Sequence, residues 1–569
     1  MASEKTEAIV FTVDPAQVNG KCQPSLNLNG TQLTYNATPT ILGVKFDSQL
    51  RFNAQAQKAA TTMAGRVNIL RALAGSSWGC DEATLRSLYV GYARPAALYA
   101  AGVWYPFLSR THTKRLESLN YTAARIITGA PRGSNAVATC REAGLAPLTL
   151  LAKRDAATLL AHAQRFPEEH VLHGLSTSSP DVPRRLRSGR DALRSSWLDV
   201  ARNTLRDTLP PNAVVESWPD PRSMSAPWDL AGSHSIAFLL AGDSVRRDDI
   251  PEARRHAALE DLSRLRSGSA PAVEIWSDGA AIGGTHHGGA GCVIKWHDGR
   301  PDSVLSCAAG SLASSTTAEA VAARLGLQHV TDTLGAFHHP LQVRLFFDSR
   351  ARHQRLQQPT WRLPDCATRD CALLLCTLAE RHLVSVVWVP GHAGLARNEA
   401  ADAAATAARD TADQSLAPPL PEAAVKTALA RACDTDWLAD YREKLGGAPP
   451  HTHFESSRGG KTADFSDLRR EDAVKLHRLR LNRLPELRGT LHRWSRPGAG
   501  DGSCPKCDGG QQEDTRHFLL DCPALESFRL QSLGPSPALS ILSEGPRSVL
   551  DFLKSVALGA TRVSFVPPG

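Results

Sequence analysis

Long apolar runs, lysine and a cysteine framework are what this 569-residue sequence has least of. Nowhere do roughly 18 apolar residues run together, the length a membrane-spanning helix requires. The richest stretch, residues 88–108, is interrupted by Arg94 and Pro95 and predicts a buried helix pair instead. The opening MASEKTEAIVF has an early acid and no basic leader before an apolar core, so it does not read as a secretory signal. The 12 cysteines are scattered apart from one cluster near the C-terminus, which excludes a disulfide-stapled miniprotein and suits a reducing compartment. Hydrophobic residues at 42% exclude a disordered acidic chain, and no internal repeat is present. The expectation is an intracellular, multidomain protein with no membrane partner.

Lysine supplies only 13 of the 65 basic residues and arginine the other 52. The guanidinium fork suits phosphate, although an arginine bias also follows from coding-sequence composition. Position says more than amount. Residues 468–496 carry nine basic side chains against three acids, most of the net +8, while residues 272–412 carry 12 basic and 13 acidic. That asymmetry predicts a nucleic-acid-facing segment outside the central region, with a solvated helix face as the alternative.

Pattern divides the chain coarsely. Residues 1–165 begin with strand-like runs (8–13, 40–46) and become helical over 52–73, 82–108 and 116–127. Residues 166–271 read as a connection, with Pro/Ser/Arg-rich tracts at 178–190 and 209–225 and helices near 191–208 and 252–266. Residues 272–412 alternate strands and helices in an α/β pattern. Residues 413–467 form a linker with an Ala-rich helix. A basic helix (468–496), a Cys/His cluster (497–530) and a tail (531–569) complete the sequence.

The α/β segment carries a set of carboxylates. Val273, Ile275 and Ser277 alternate with Glu274 and Trp276 in a strand delivering Asp278 at its end, and Val343, Leu345 and Phe347 alternate in one delivering Asp348. Between them a helix over 314–330 has Glu319 in its first turn. A third strand, 383–389, leads to Pro390-Gly391-His392-Ala393-Gly394, and a helix starting near Asn398 carries Asp402 in its first turn. Carboxylates packed together cannot all ionise without protons or a cation. Oxygen-only ligands suit Mg²⁺, and a pair of such ions serves phosphodiester hydrolysis. His392, with an ordinary pKa near 6.5, could move a proton there. Each residue also has a duller role open to it. Glu319 falls at the third position of a capping box begun by Thr316, Asp402 complements a helix N-terminus, and Asp278-Gly279 makes a turn.

The order Asp278-Gly279, Glu319, Asp348-Ser349 and WVPGHAGLARNEAAD (388–402) resembles the type 1 ribonuclease H family. Trp388, Gly391, His392, Gly394, Asn398, Glu399, Ala401 and Asp402 all sit where that family has them. The resemblance implies an α/β domain with a mixed five-stranded sheet that cuts the RNA strand of RNA–DNA hybrids. It also implies two Mg²⁺ ions, with Mn²⁺ as a substitute, held by Asp278, Glu319, Asp348 and Asp402 and assisted by His392. One departure is that only 39 residues separate Asp348 from Trp388, leaving no room for an extra basic protrusion. Flanking segments are then expected to supply phosphate contacts.

CPKCDGGQQEDTRHFLLDC (504–522) spaces Cys504, Cys507, His517 and Cys522 to close one tetrahedral structural Zn²⁺ site. Unrelated surface cysteines are the alternative. The preceding leucines, interleaved with Arg478, Arg480 and Arg483, predict an amphipathic basic helix beside that module, binding RNA or DNA. Residues 42–47 with 50–52, 124–129 and 142–147 resemble the post-palm and thumb-like part of LINE-type, ingi-like reverse transcriptases. The only Asp-Asp pair, Asp248-Asp249, lacks a strand pattern, so polymerase activity is not expected of the chain alone, and a polymerase in trans is a candidate partner. Together these resemblances imply a nuclear hybrid endonuclease within a retrotransposon polyprotein. The alternative is a catalytically idle, zinc-dependent nucleic-acid-binding remnant.

Overall fold

The computed structural model describes residues 6–12, 25–177, 197–211, 213–218, 236–246, 249–268, 273–334, 339–358, 363, 365–445, 465–496, 500–507 and 509–563. The chain forms two compact units, one from residues 158–182 and 205–429, the other from 1–157, 183–204 and 430–569. Among the described residues no helix is long and apolar enough to cross a membrane.

The first unit is built on one sheet. Its elements are β1 (Ala237–Leu240), α1 (Pro251–Gly268), β2 (Val273–Ile282), β3 (His286–Trp296), β4 (Ser303–Gly310), α2 (Ser315–Leu334), β5 (Gln342–Phe347), α3 (Arg350–Leu356), α4 (Cys366–Ala379), β6 (Leu383–Trp388) and α5 (Ala396–Thr411). Strand order is β4-β3-β2-β5-β6-β1, with β2, β3 and β4 antiparallel and β2, β5, β6 and β1 mutually parallel. The mixed sheet was expected with five strands. The sixth, β1, comes from the stretch read as a connection, where only four residues, Ala-Phe-Leu-Leu, form the strand and no alternation marks it. Strand periodicity of two places Val273, Ile275, Val343, Leu345 and Phe347 on one face, packed with Leu327 and Val330 of α2 and Leu375 of α4. Trp276, Phe346 and Val387 point to the other face, where Ala258 and Leu262 of α1 and Ala401 of α5 cover them. Apolar residues on both faces of the central strands are what a parallel sheet between helix layers requires.

The second unit pairs the two ends of the sequence. Helices Asn53–Leu73 and Arg110–Thr128 enclose Met63, Val67, Leu70, Tyr89, Trp104 and Leu116. Ser109 caps the second helix and Gly129, at φ +65°, ends it. The helical stretch expected over 82–108 is a run of short helices, Glu82–Leu88, Tyr89–Ala93, Pro95–Leu98 and Ala101–Trp104, broken where Ala100 adopts a left-handed conformation. The run 40–46 folds back as a hairpin at Leu42-Gly43, both at positive φ. Of the 8–13 strand only Ala8 forms, within the strand Glu7–Ala8, and residue 13 lies outside the described residues, as do 178–196, 219–235 and Asp248.

Within the tail expected at 531–569, the described residues include helices Ile541–Glu544 and Pro546–Val563. Leu542 and, from helix Pro546–Val563, Val549 and Phe552 share a core with Leu476, Leu479, Phe518 and Leu519.

Candidate active site and metal centre

Asp278 lies within β2, beyond Trp276, the last residue of that strand paired with β5. It was expected at the strand end. The strand continues as a hairpin arm with β3, so only its parallel neighbour stops there. Asp348 follows β5 directly, its backbone carbonyl accepting from Trp388 Nε1 at 2.7 Å. Three close approaches draw the other elements in. A Cβ on Gly279 would lie 2.1 Å from the Glu319 backbone nitrogen, and one on Gly291, opposite Asp278, 2.3 Å from that of Ala405. A Cβ on Gly391 would meet the Asp348 carboxylate at 2.5 Å. Only glycine lets α2, α5 and the His392 loop come this near.

Two of the duller roles lose their basis. The helix cap is Ser314, whose Oγ accepts from Thr317 N at 3.2 Å, so Thr316 lies inside α2 and Glu319 is outside any capping box. α5 begins at Ala396, two residues earlier than expected, placing Asp402 in its second turn and Glu399 in the first.

Asp278 feels the other three carboxylates, and Asp348 feels Asp402. Burial pushes the Asp278 carboxyl up to about 8, with the negative charges of Asp348, Asp402 and Glu319 adding to the shift against a 2.7 Å hydrogen bond from Gly279 N. Burial also raises Asp348, opposed by Asn398 Nδ2 at 3.5 Å and by the nearby His392. Asn398 Oδ1 is buried with no hydrogen-bond partner. These are oxygen donors of the kind that suit a hard divalent cation. The structure adds a residue that the sequence pattern does not flag. Arg352, buried in α3, reaches Glu319 Oε2 with its Nε at 3.3 Å and donates to the Thr316 carbonyl. An arginine in a basic helical stretch carries no sign of such a partner in sequence.

In the other unit, the ligand atoms of Cys504, Cys507, His517 and Cys522 all lie within 4.8 Å of one another. Cys504 and Cys507 sit on a small hairpin closed by the Ser503–Gln512 bridge. His517–Asp521 forms a π-helical turn with Cys522 N bonded to His517 O at 2.7 Å, and this wider turn sets residues five apart side by side. His517 Nδ1 faces Gln511 Oε1 at 2.8 Å, leaving Nε2 turned to Cys507. Burial and the adjacent Cys504 thiol push Cys522 up to about 11.

The basic helix is a correction. Within helix Arg470–Arg480, Arg480 is 2% exposed and its Nε donates to Glu142 at 2.8 Å. Arg478 donates to the Gly129 carbonyl at 3.0 Å, and Arg470 caps the carbonyls of Ile126 and Ile127. Arg483, half-buried, donates to Asn482 O. Arg480 is therefore committed to packing against Glu142, while Arg478 and Arg483 are half-buried with backbone acceptors and do not form the continuous exposed face expected of the helix. In the same segment Arg469, Arg488 and Arg496 are the exposed arginines with no such role.

Residues 270–410 match the ribonuclease H family. The ribonuclease H of Edwardsiella ictaluri is 30% identical over 152 residues, which cover 25% of this chain and 92% of that protein. This chain belongs to the ribonuclease H family. A retrovirus-related Pol polyprotein from a type-1 retrotransposable element R1 of Nasonia vitripennis is 29% identical over 146 residues, 26% of this chain and 37% of that polyprotein. The chain thus spans little more than a third of that relative. Among solved structures, RNase H1 of Halobacterium salinarum is 27% identical over 24% of this chain and 97% of its own, with a TM-score of 0.20. The ribonuclease H match ends within α5 and begins two residues after α1 closes, so β1 and α1 lie outside it.

Proposed function

We propose that this ribonuclease H is a Mg²⁺-dependent endonuclease that hydrolyses the RNA strand of RNA–DNA hybrids as part of a retrotransposon polyprotein. The observation that carries the proposal is Asp278: a buried carboxyl pushed up to about 8 beside three more carboxylates lacks a compensating charge, and a divalent cation would supply it. Asp278, Glu319, Asp348 and Asp402 would hold two such ions, which when bound activate a water and stabilise the leaving oxygen. Asn398 orients Asp348, and His392, on its glycine-flanked loop, receives or returns a proton at the cleaved bond. The test is cleavage of a labelled hybrid with Mg²⁺, wild type against Asp348→Asn. Wild-type cleavage abolished in the variant is expected, and an inert wild type at every salt and metal concentration would reject the enzyme.

Cys504, Cys507, His517 and Cys522 are proposed to hold one structural Zn²⁺ with no open position. Metal analysis should find about one zinc per chain, lost in the Cys504→Ser, Cys507→Ser double variant. A zinc-free wild type would reject that site. Residues 1–165 are proposed to correspond to the post-palm and thumb-like part of a LINE-type polymerase, supported by the order of motifs.

A further inference from the structure

Residues 236–268 lie upstream of the family match, yet the structure builds them into the active unit. β1 pairs with the final residues of β6, Leu240 opposite Trp388, and Ala241 N donates to the Trp388 carbonyl at 2.9 Å, one residue before the His392 loop begins its course. The turn after β1 is fixed on α1. Gly242 N donates to Asp261 at 2.8 Å, and a Cβ on Gly242 would touch Ala258 at 3.3 Å. Ala258 and Leu262 of α1 then share a core with Val389 and Leu395, the residues bounding the loop on either side.

The loop itself is under backbone strain. His392 adopts φ +50°, a left-handed conformation that a side chain disfavours and that persists only where the surroundings enforce it. Two contacts on this loop come from α1. Arg254 Nη1 donates to the Gly391 carbonyl at 3.2 Å, and the Arg255 side chain passes 3.4 Å from where a Gly394 Cβ would stand. A second tie runs to the Asp348 side of the pocket. Arg350, two residues after Asp348, pairs with Asp243 of the β1–α1 turn and lies over Trp388 at 4.3 Å.

We infer that β1 and α1 form a built-in clamp on the proton-transfer loop, with Arg254 as the positioning residue that holds Gly391 and thereby the left-handed His392. Arg254 acts through the loop backbone and touches neither substrate nor metal. The inference rests on the proposed hybrid nuclease for its effect on rate, but not for its effect on the loop. In the full chain, Arg254→Met keeps the side-chain volume and removes the donor. Amide exchange over residues 391–394 should then quicken about 10-fold, with the melting midpoint unchanged and kcat on a hybrid falling about 10-fold at constant KM, as expected for a displaced catalytic group. Arg254→Lys, which keeps a donor and the charge, should restore much of the protection, and it carries the comparison if the Met variant does not fold. Unchanged exchange at 391–394 in an active protein would overturn the clamp, as would a rise in KM with kcat intact, the mark of a phosphate contact. If the wild type cleaves no hybrid, the nuclease proposal fails while the exchange comparison still decides the clamp.

Discussion

Glu142 in one unit and Asp278 in the other are both buried carboxylates, and the protein treats them in opposite ways. Glu142 meets His477 Nδ1 at 2.7 Å and Arg480 Nε at 2.8 Å, while the far side of the same imidazole meets Glu82. Burial pushes Glu142 upward, but the Arg480 charge and the His477 hydrogen bond outweigh it and bring the carboxyl down to about 2. Asp278 is given a backbone hydrogen bond and three like charges, and it rises to about 8. Compensated burial fixes a fold, here by docking helix Arg470–Arg480 on the helices near the N-terminus. Uncompensated burial stores an affinity for whatever positive charge arrives. Residues in the first group are therefore expected to read out as stability, and those in the second as chemistry.

The strongest way to break the comparison is Asp278→Asn. Cleavage should fall roughly 10⁴-fold, about 5 kcal/mol of transition-state stabilisation, since the charge proposed to hold the metal is gone. The same change should raise the melting midpoint of the chelated protein at pH 8. A folded pKa near 8 against about 3.9 unfolded means the unfolded state binds fewer protons between these values, so stability falls as pH climbs through that window. Asparagine removes that loss. A chelated variant that melts below wild type at pH 8 would show that Asp278 is compensated after all. Glu142→Gln should do the reverse, costing about 3–5 kcal/mol by orphaning two buried cations. Urea unfolding checks this, and Mg²⁺ should not rescue the variant.

Much of the geometry of the candidate site is legible in sequence because alternation with period two is local. Val343, Leu345 and Phe347 fix one strand and deliver Asp348, and the Gly391–Gly394 spacing announces a tight loop. The charge-rich helix shows where that legibility stops. Arg478 and Arg480 look alike in sequence to any solvated basic residue. What binds them, Gly129 and Glu142, lies more than 300 residues away in the chain, so no window of pattern could couple them. β1 fails for a related reason: a four-residue edge strand carries too few positions for a period, and its pairing with β6 spans roughly 150 residues. The Ser314 cap was missed more simply, because Ser314, Ser315, Thr316 and Thr317 are all competent caps.

A sharper contrast comes from pH, with the two units responding through different groups. Burial pushes His477 down, but the hydrogen bonds it donates to the Glu142 and Glu82 carboxylates raise it to about 8 against an ordinary 6.5. Its contribution is fully present below pH 6.5 and is lost as pH rises through about 8, some 2 kcal/mol in all. His477→Gln should flatten that part of the stability profile, and Mg²⁺ should leave it untouched. If Mg²⁺ abolishes the whole alkaline decline, the His477 contribution is absent.

The smallest effect tests Arg352, which forms an ion pair with one member of the carboxylate group. Arg352 Nε at 3.3 Å from Glu319 Oε2 partly offsets the negative charge that Asp278, Asp348 and Asp402 build up, and its contact with the Thr316 carbonyl holds α2 in place above the site. Removing the guanidinium should therefore have two opposed consequences. Arg352→Gln makes the pocket more negative, so half-saturation by Mg²⁺, followed by calorimetry, should shift to lower concentration. It also frees Glu319 from its fixed orientation, so kcat at saturating Mg²⁺ should fall about fivefold, near 1 kcal/mol. The opposition is what makes the test decisive. Loss of a purely structural arginine would weaken metal binding and turnover together, whereas a residue that tempers an uncompensated site should strengthen the first while slowing the second.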